Sequence, residues 1–346
     1  MNPPVTAAEQ DELEIAIDDA FADLDARMRP RGDSFTALSS AMRRAGSGGK
    51  RFRPALVLAA FRALEGAADR RPTVLRVGAA FELLHTAFVI HDDLIDGDTV
   101  RRGVPNVAGE FRMRAEGHDG VALGDTAALL AGDLLLHEAQ RIVATLDAPP
   151  PLRAGLLDLL DEAVIVTAAG ELADVEHALR ADGAVSEVLA MSHDKTAAYS
   201  FSAPLRAGAL LAGADDMTVL RVGMCGSALG LAFQLVDDLI GAFGTAAQAG
   251  KAAGADLIAA KHTPLVALAR STGSWPDVSE TIALAHTGPI ALQEAQRALA
   301  ESGARAQAEA LVHSLLDDAR GATVDLPAPL AHLLGACADH VEGRIP

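Results

Sequence analysis

His85-Thr-Ala-Phe-Val-Ile-His-Asp-Asp-Leu-Ile-Asp-Gly-Asp-Thr-Val-Arg-Arg-Gly103 reads as the end of a helix running into a basic turn. The apolar run from Val77 to Ile90 is helical in pattern and closes on Asp92, Asp93 and Asp96, with Asp98 just beyond. At about 3.6 residues per turn, Asp92 and Asp96 stack on one helix face. Carboxylates crowded there repel each other, and they repel the roughly half negative charge that a helix carries at its C-terminal end. A cation is therefore expected. Mg²⁺ fits, because it takes one or two carboxylates and completes its shell with water and phosphate oxygens. Arg101 and Arg102, after a glycine-containing turn, supply charge suited to a phosphate. Read alone, the stretch is equally a solvated acidic helix end beside a basic loop.

The pattern recurs at Phe233-Gln-Leu-Val-Asp-Asp-Leu-Ile-Gly241, where the apolar run Leu220 to Val236 closes on Asp237 and Asp238. Lys251, Asp256 and Lys261 follow in a Gly- and Ala-rich segment. Gln234, one turn before Asp238, is placed to hydrogen-bond a diphosphate or a metal-bound water. Upstream, Gly48-Gly-Lys-Arg-Phe-Arg-Pro54 is a glycine-rich turn feeding a helix through Pro54. Free N–H groups at a helix start, with Lys and Arg nearby, make a ready anion site.

These three motifs together resemble the trans-isoprenyl diphosphate synthases, or polyprenyl synthetases, and within them most resemble the bacterial geranylgeranyl diphosphate synthases. The likeness runs from about Gly48 to Thr263. It implies an all-α, single-domain helical bundle of the isoprenoid-synthase type with a central apolar cavity, occupying residues 1–346. It also implies a homodimer, two diphosphate substrates and three Mg²⁺ ions with bound diphosphate. In that family two Asp-rich motifs face each other across the bundle and hold the metal between them. The implied metal ligands are Asp92, Asp93, Asp96, Asp237 and Asp238, with Asp256 supporting their shell. Lys50, Arg53, His85 and Arg102 are implied to bind isopentenyl diphosphate. Arg101, Lys195, Thr196, Lys251 and Lys261 are implied to face the allylic diphosphate. Asp92, Asp96, Arg101, Lys195, Asp237 and Lys251 form the implied catalytic set.

Two positions depart from the family pattern. Gly241 stands where a third Asp is common, and Glu171 in Gly170-Glu171-Leu-Ala-Asp174 stands where Gln is usual. The first leaves one carboxylate fewer for metal; the second adds negative charge near the pocket. Chain length is expected to be read by Phe88, Ala87 and Leu84. In the family, paired aromatics four and five residues before the first Asp accompany a fifteen-carbon product. Phe88 is aromatic but Ala87 is not, so a twenty-carbon product, geranylgeranyl diphosphate, is expected. Ordinary core packing is the other reading of Phe88 and of His85.

Composition bounds the rest. Half of the 346 residues are hydrophobic but only 3% aromatic, which favours aliphatic helices over strands. A net charge of −18 argues against nucleic acid as a partner. Cys225 and Cys337, far apart in apolar helices, read as reduced core thiols of a cytoplasmic protein. No leader pattern opens the chain, and no uninterrupted apolar run of about 18 residues is evident, so no transmembrane segment is expected. A helix from 7 to 29, another from 121 to 146 with Gly132 admitting a close neighbour, and one from 186 to 195 complete the expected frame. The tail beyond Pro264 carries no recognisable chemistry. A class I terpene cyclase and a non-catalytic subunit of a heteromeric synthase stay open, as do a farnesyl or longer product.

Overall fold

Helix α1 (Ala7–Met28) starts at a capping box: Thr6 Oγ1 accepts from the Glu9 amide at 3.3 Å and Glu9 Oε2 accepts from the Thr6 amide at 2.8 Å. Its stripe Leu13, Ile17, Phe21 and Leu24 is buried, as helical spacing requires. The computed structural model describes residues 5–180, 183–249 and 253–346. Helices dominate it; the only strands among the described residues are β1 (Val100–Arg101) and β2 (Val104–Pro105), an antiparallel pair.

The chain divides into two units, Met1–Asp161 with Pro204–Asp215, and Glu162–Ala203 with Asp216–Pro346. The first holds α1, α2 (Asp33–Ala45), α3 (Phe52–Ala63), α4 (Arg71–Ile95), α5 (Val107–Arg112), α6 (Gly117–Ala144) and the start of α7 (Pro150–Arg180). Helix α4 is its axis, packed by α1, α3 and α6. Val74, Val77, Phe81, Leu84 and Ala87 are buried along it, each large side chain contributing roughly 1.5–3 kcal/mol. A Cβ on Gly132 would overlap the His91 ring, so α4 and α6 approach as closely as the sequence led one to expect. His91 is thereby a packing residue, with Nε2 3.3 Å from the Leu129 carbonyl.

The second unit comprises the rest of α7, α8 (Val185–Ser192), a π-helical segment His193–Ser202, the first residue of α9 (Ala203–Ala212), whose remainder lies in the first unit, and α10 (Asp216–Phe243). Then come α11 (Ala246–Ala249), α12 (Ala255–Ile258), α13 (Pro264–Arg270), α14 (Trp275–Leu284), α15 (Pro289–Glu301), α16 (Ala304–Ala322) and α17 (Ala328–Glu342). Helix α10 is the axis here, packed by the π segment, α16 and α17.

Three stretches, Ala68–Ile95, Gly117–Ala144 and Asp216–Phe243, are long and apolar enough to cross a membrane by length and composition. Isolated charges such as Arg76 and Glu82 interrupt the first run without lowering its mean hydropathy much, which is why an uninterrupted run was not evident. Their apolar windows are 67%, 39% and 50% buried inside the protein.

Candidate active site

In the first unit, α4 carries Asp92 and Asp93 in its last turn, where the helix has no basic residue of its own. The charge comes from the hairpin. Arg101 Nε donates to Asp93 Oδ1 at 2.7 Å, and its Nη2 reaches Asp92 Oδ2 at 3.2 Å. Burial alone would lower the Arg101 pKa, but its bond to Asp93 and the charges of Asp93, Asp92 and Asp98 outweigh that and raise it. Asp93 is buried and Asp92 half-buried. Asp96 is exposed and caps the helix, its amide donating to the Asp92 carbonyl at 2.9 Å.

The hairpin turns on Arg102 and Gly103, both with positive φ, 54° and 80°, as a two-residue turn between twisted strands demands. Holding an arginine there costs roughly 1–2 kcal/mol. The turn brings the Arg102 guanidinium to the glycine-rich loop: a Cβ built on Gly48 or Gly49 would lie 3.9 Å from its nitrogens. Lys50 is exposed in that loop and Arg53 part-exposed in the first turn of α3. His85, half-buried on α4, feels the same group. Burial first, then the charges of Arg53, Arg101, Arg102 and Arg51, hold its pKa well below 6.5, so the imidazole is neutral near pH 7. The expected set Lys50, Arg53, His85 and Arg102 is thus gathered around one loop and one helix face.

Arg51, not singled out in the sequence, is the clamp of this loop. It is buried with φ 49° and donates to both Glu14 oxygens, to Glu82 Oε1 and to the Gly46 carbonyl at 2.7–2.9 Å. Further down α4, Leu84, Ala87 and Phe81 are fully buried, while Phe88 is part-exposed.

In the second unit, Asp237 and Asp238 lie on α10, which runs on to Phe243. The expected helix end is therefore nearly two turns further along, because Leu239, Ile240 and Ala242 keep burying apolar surface. Dipole repulsion, confined to the last turn, is weaker here than at Asp92. Gln234 Nε2 donates to Asp238 Oδ1 at 3.0 Å, and Asp238 is buried. Gly241 is explained by its neighbour. A Cβ at 241 would overlap the Asp256 carboxylate, delivered by α12, so a carboxylate still stands against that turn of α10. Lys261 is exposed, its amide bonded to the Asp256 carbonyl at 3.0 Å.

Lys195 and Thr196 lie in the π-helical segment rather than at the end of the expected 186–195 helix. Such wide turns interrupt regular helix geometry and recur at functional sites. Lys195 Nζ donates to Asp174 Oδ2 at 2.7 Å and Glu171 Oε1 at 3.1 Å, so Glu171 acts as a partner of Lys195. A Cβ on Gly170 would overlap the Lys195 backbone, which is how α7 comes close enough. Lys251 lies outside the described residues. A second arginine missed in the sequence, Arg344, donates to Asp237 Oδ1. No local pattern could have found it, 107 residues away.

The acidic residues fit magnesium in its usual mode. Among the described residues no group of three or more His, Cys, Asp or Glu could hold an ion alone. Two carboxylates per helix, each pair answered by a guanidinium where a cation is required, suit an ion that takes the rest of its shell from substrate phosphate and water.

The polyprenyl synthetase family pattern matches residues 36–299. The chain is 37% identical over 222 residues to a geranylgeranyl diphosphate synthase of Sulfolobus acidocaldarius, covering 64% of this chain and 62% of that one; it thus spans less than two thirds of that relative's length. It is 32% identical over 311 residues to a geranylfarnesyl diphosphate synthase of Aeropyrum pernix, covering 86% and 91%. Among solved structures, geranylgeranyl pyrophosphate synthase from Corynebacterium glutamicum, complexed with isoprenyl diphosphate and magnesium, aligns with a TM-score of 0.86 at 28% identity over 96% of this chain and 98% of that one. With three motifs on an all-α frame and a family match across most of its length, this chain belongs to the polyprenyl synthetase family.

Proposed function

We propose that the chain is a prenyltransferase that condenses isopentenyl diphosphate with an allylic diphosphate, giving mainly geranylgeranyl diphosphate. Asp92, Asp93, Asp96, Asp237 and Asp238 would hold magnesium. Bound magnesium would supply Lewis-acid neutralisation of the leaving pyrophosphate. Arg101, Lys195, Thr196, Gln234, Lys251 and Lys261 orient the allylic diphosphate, so the carbon–oxygen bond breaks with its electron pair leaving on pyrophosphate. Lys50, Arg53, His85 and Arg102 hold the second diphosphate so that its double bond attacks the allylic carbon. A proton then passes to the departed pyrophosphate. No protein nucleophile is needed; positioning and water exclusion are the protein's remaining contribution.

The observation that carries this reading is the Arg102 guanidinium over the Gly48–Gly49 loop, with Arg53 and neutral His85 in the same field. A cyclase, which ionises one diphosphate, has no use for such a second cationic group beside an acidic helix end. A homodimer is supported by α6, which leaves Val121, Leu123, Leu129 and Leu130 exposed. A cytoplasmic location is supported by Cys225 and Cys337, both free and buried, their thiols pushed by burial up to about 12 and about 11. The decisive assay incubates the pure protein with isopentenyl diphosphate, an allylic diphosphate and Mg²⁺ and separates the dephosphorylated products. A C20 alcohol is expected. Cyclic hydrocarbon from a single diphosphate would favour the cyclase, and no product would favour the non-catalytic subunit.

A further inference from the structure

Past the end of α17 the chain lies back along α10, and it is held there at two points. Arg344 Nη2 donates to Asp237 Oδ1, and its guanidinium sits 4.4 Å from the centroid of Phe233, one turn earlier on α10. Two residues on, the main-chain oxygen of Pro346 accepts from Arg305 Nη2 at 2.5 Å, and Arg305 stacks 4.7 Å from the Phe243 ring at the end of α10. Arg344 is mostly buried against this surface, and its Nη1 is buried without a hydrogen-bond partner. Helix α10 carries no basic residue near Asp237 and Asp238, its one arginine being Arg221. Arg344 supplies that charge from more than a hundred residues away, as Arg101 does for Asp92 and Asp93.

We propose that Arg344 is a positioning residue of the second acidic cluster: its guanidinium and a divalent cation compete for the Asp237 carboxylate. The proposal rests on the metal reading of Asp237 given above. The Asp237 carboxylate that accepts from Arg344 would also be a ligand of a divalent ion, and a guanidinium and a metal compete for one carboxylate. Metal entry at this cluster is therefore an exchange of one cation for another. The stacking on Phe233 keeps the released guanidinium nearby, within reach of whatever anion accompanies the metal.

The test is titration of the full chain with Mn²⁺, without diphosphate, followed by electron paramagnetic resonance and calorimetry. Arg344→Gln should bind Mn²⁺ about tenfold tighter than the parent, as expected when one competing charge-assisted pair is removed. Arg344→Lys, which keeps the charge, should stay close to the parent. Adding Asp237→Asn to the parent and to the Arg344→Gln variant should abolish the difference between them. In chelator, Arg344→Gln should melt lower than the parent, and the gap should close in saturating Mg²⁺. Equal or weaker Mn²⁺ binding by Arg344→Gln, with the parent binding normally, overturns the exchange while leaving the metal reading intact. Absence of Mn²⁺ binding in parent and variant alike, with melting unchanged by metal, overturns both.

Discussion

The carboxylate of Asp256 occupies the space that a side chain at position 241 would need, so Gly241 and Asp256 are one structural unit. Glycine inside a helix ordinarily costs about 1 kcal/mol against alanine, and replacing it should stabilise. Here the sign reverses. Gly241→Ala is expected to destabilise by roughly 1–3 kcal/mol through overpacking, and Gly241→Ala with Asp256→Gly should recover the loss. Thermal melts of the three variants check this; a Gly241→Ala protein as stable as the parent would remove the steric basis for the pair.

Metal dependence follows from the acidic helix segments. Chelation should stop turnover and Mg²⁺ should restore it. Asp92→Ala and Asp237→Ala should each lower kcat by about a thousandfold or more. Near-normal turnover in either variant would contradict a shared role for the two motifs.

The two cationic groups should separate kinetically. Arg53→Ala or Lys50→Ala should raise KM for isopentenyl diphosphate about tenfold or more with little change for the allylic substrate, and Lys195→Ala should do the reverse. Glu171→Gln removes one of the carboxylates that hold Lys195 and should lower KM for the allylic diphosphate. Equal effects on both substrates would mean one shared pocket.

His85 gives a pH signature. Its folded-state pKa lies well below 6.5, from burial first and then from the surrounding arginines. Below pH 6.5 the unfolded chain therefore binds a proton that the folded one refuses, so stability falls as pH drops towards the folded value. His85→Gln should flatten the melting temperature over that window. Diphosphate binding brings negative charge to the ring and should draw a proton in, read by calorimetry in buffers of different ionisation enthalpy. Proton uptake unchanged in His85→Gln would assign the titration elsewhere.

Product length should respond at Phe88 and Ala87. Phe88 is part-exposed one turn before Asp92, whereas Leu84 and Ala87 are packed. Phe88→Ala should lengthen the main product past twenty carbons. Ala87→Phe should shorten it to fifteen, with some loss of stability because the site is fully buried. Chromatography of the dephosphorylated products, beside a melt of each variant, decides; an unchanged distribution in both means that this face does not measure the chain.

Much of the protein was written locally. The 3.6-residue stripe of α1, the long apolar helices α4 and α10, the glycine-rich entry to α3 and the close approach at Gly132 all depend on residues a few positions apart, whose periodicity the backbone geometry imposes. So do the acidic pairs themselves and the basic turn at Arg101 and Arg102. What depends on distant partners was not legible. The π-helical turn that carries Lys195 meets α7 where Gly170 lets the backbones come together and α10 where Gly230 faces Ala197. In the sequence Arg51 is one of several cations in a basic loop; only the fold brings Glu14 and Glu82 around it. The missing carboxylate at 241 arrives from α12, and the cation on Asp237 arrives from beyond α17. Side-chain charge and size are visible in a sequence; which charge answers which, across fifteen or a hundred residues, is decided only when the helices pack and water is excluded between them.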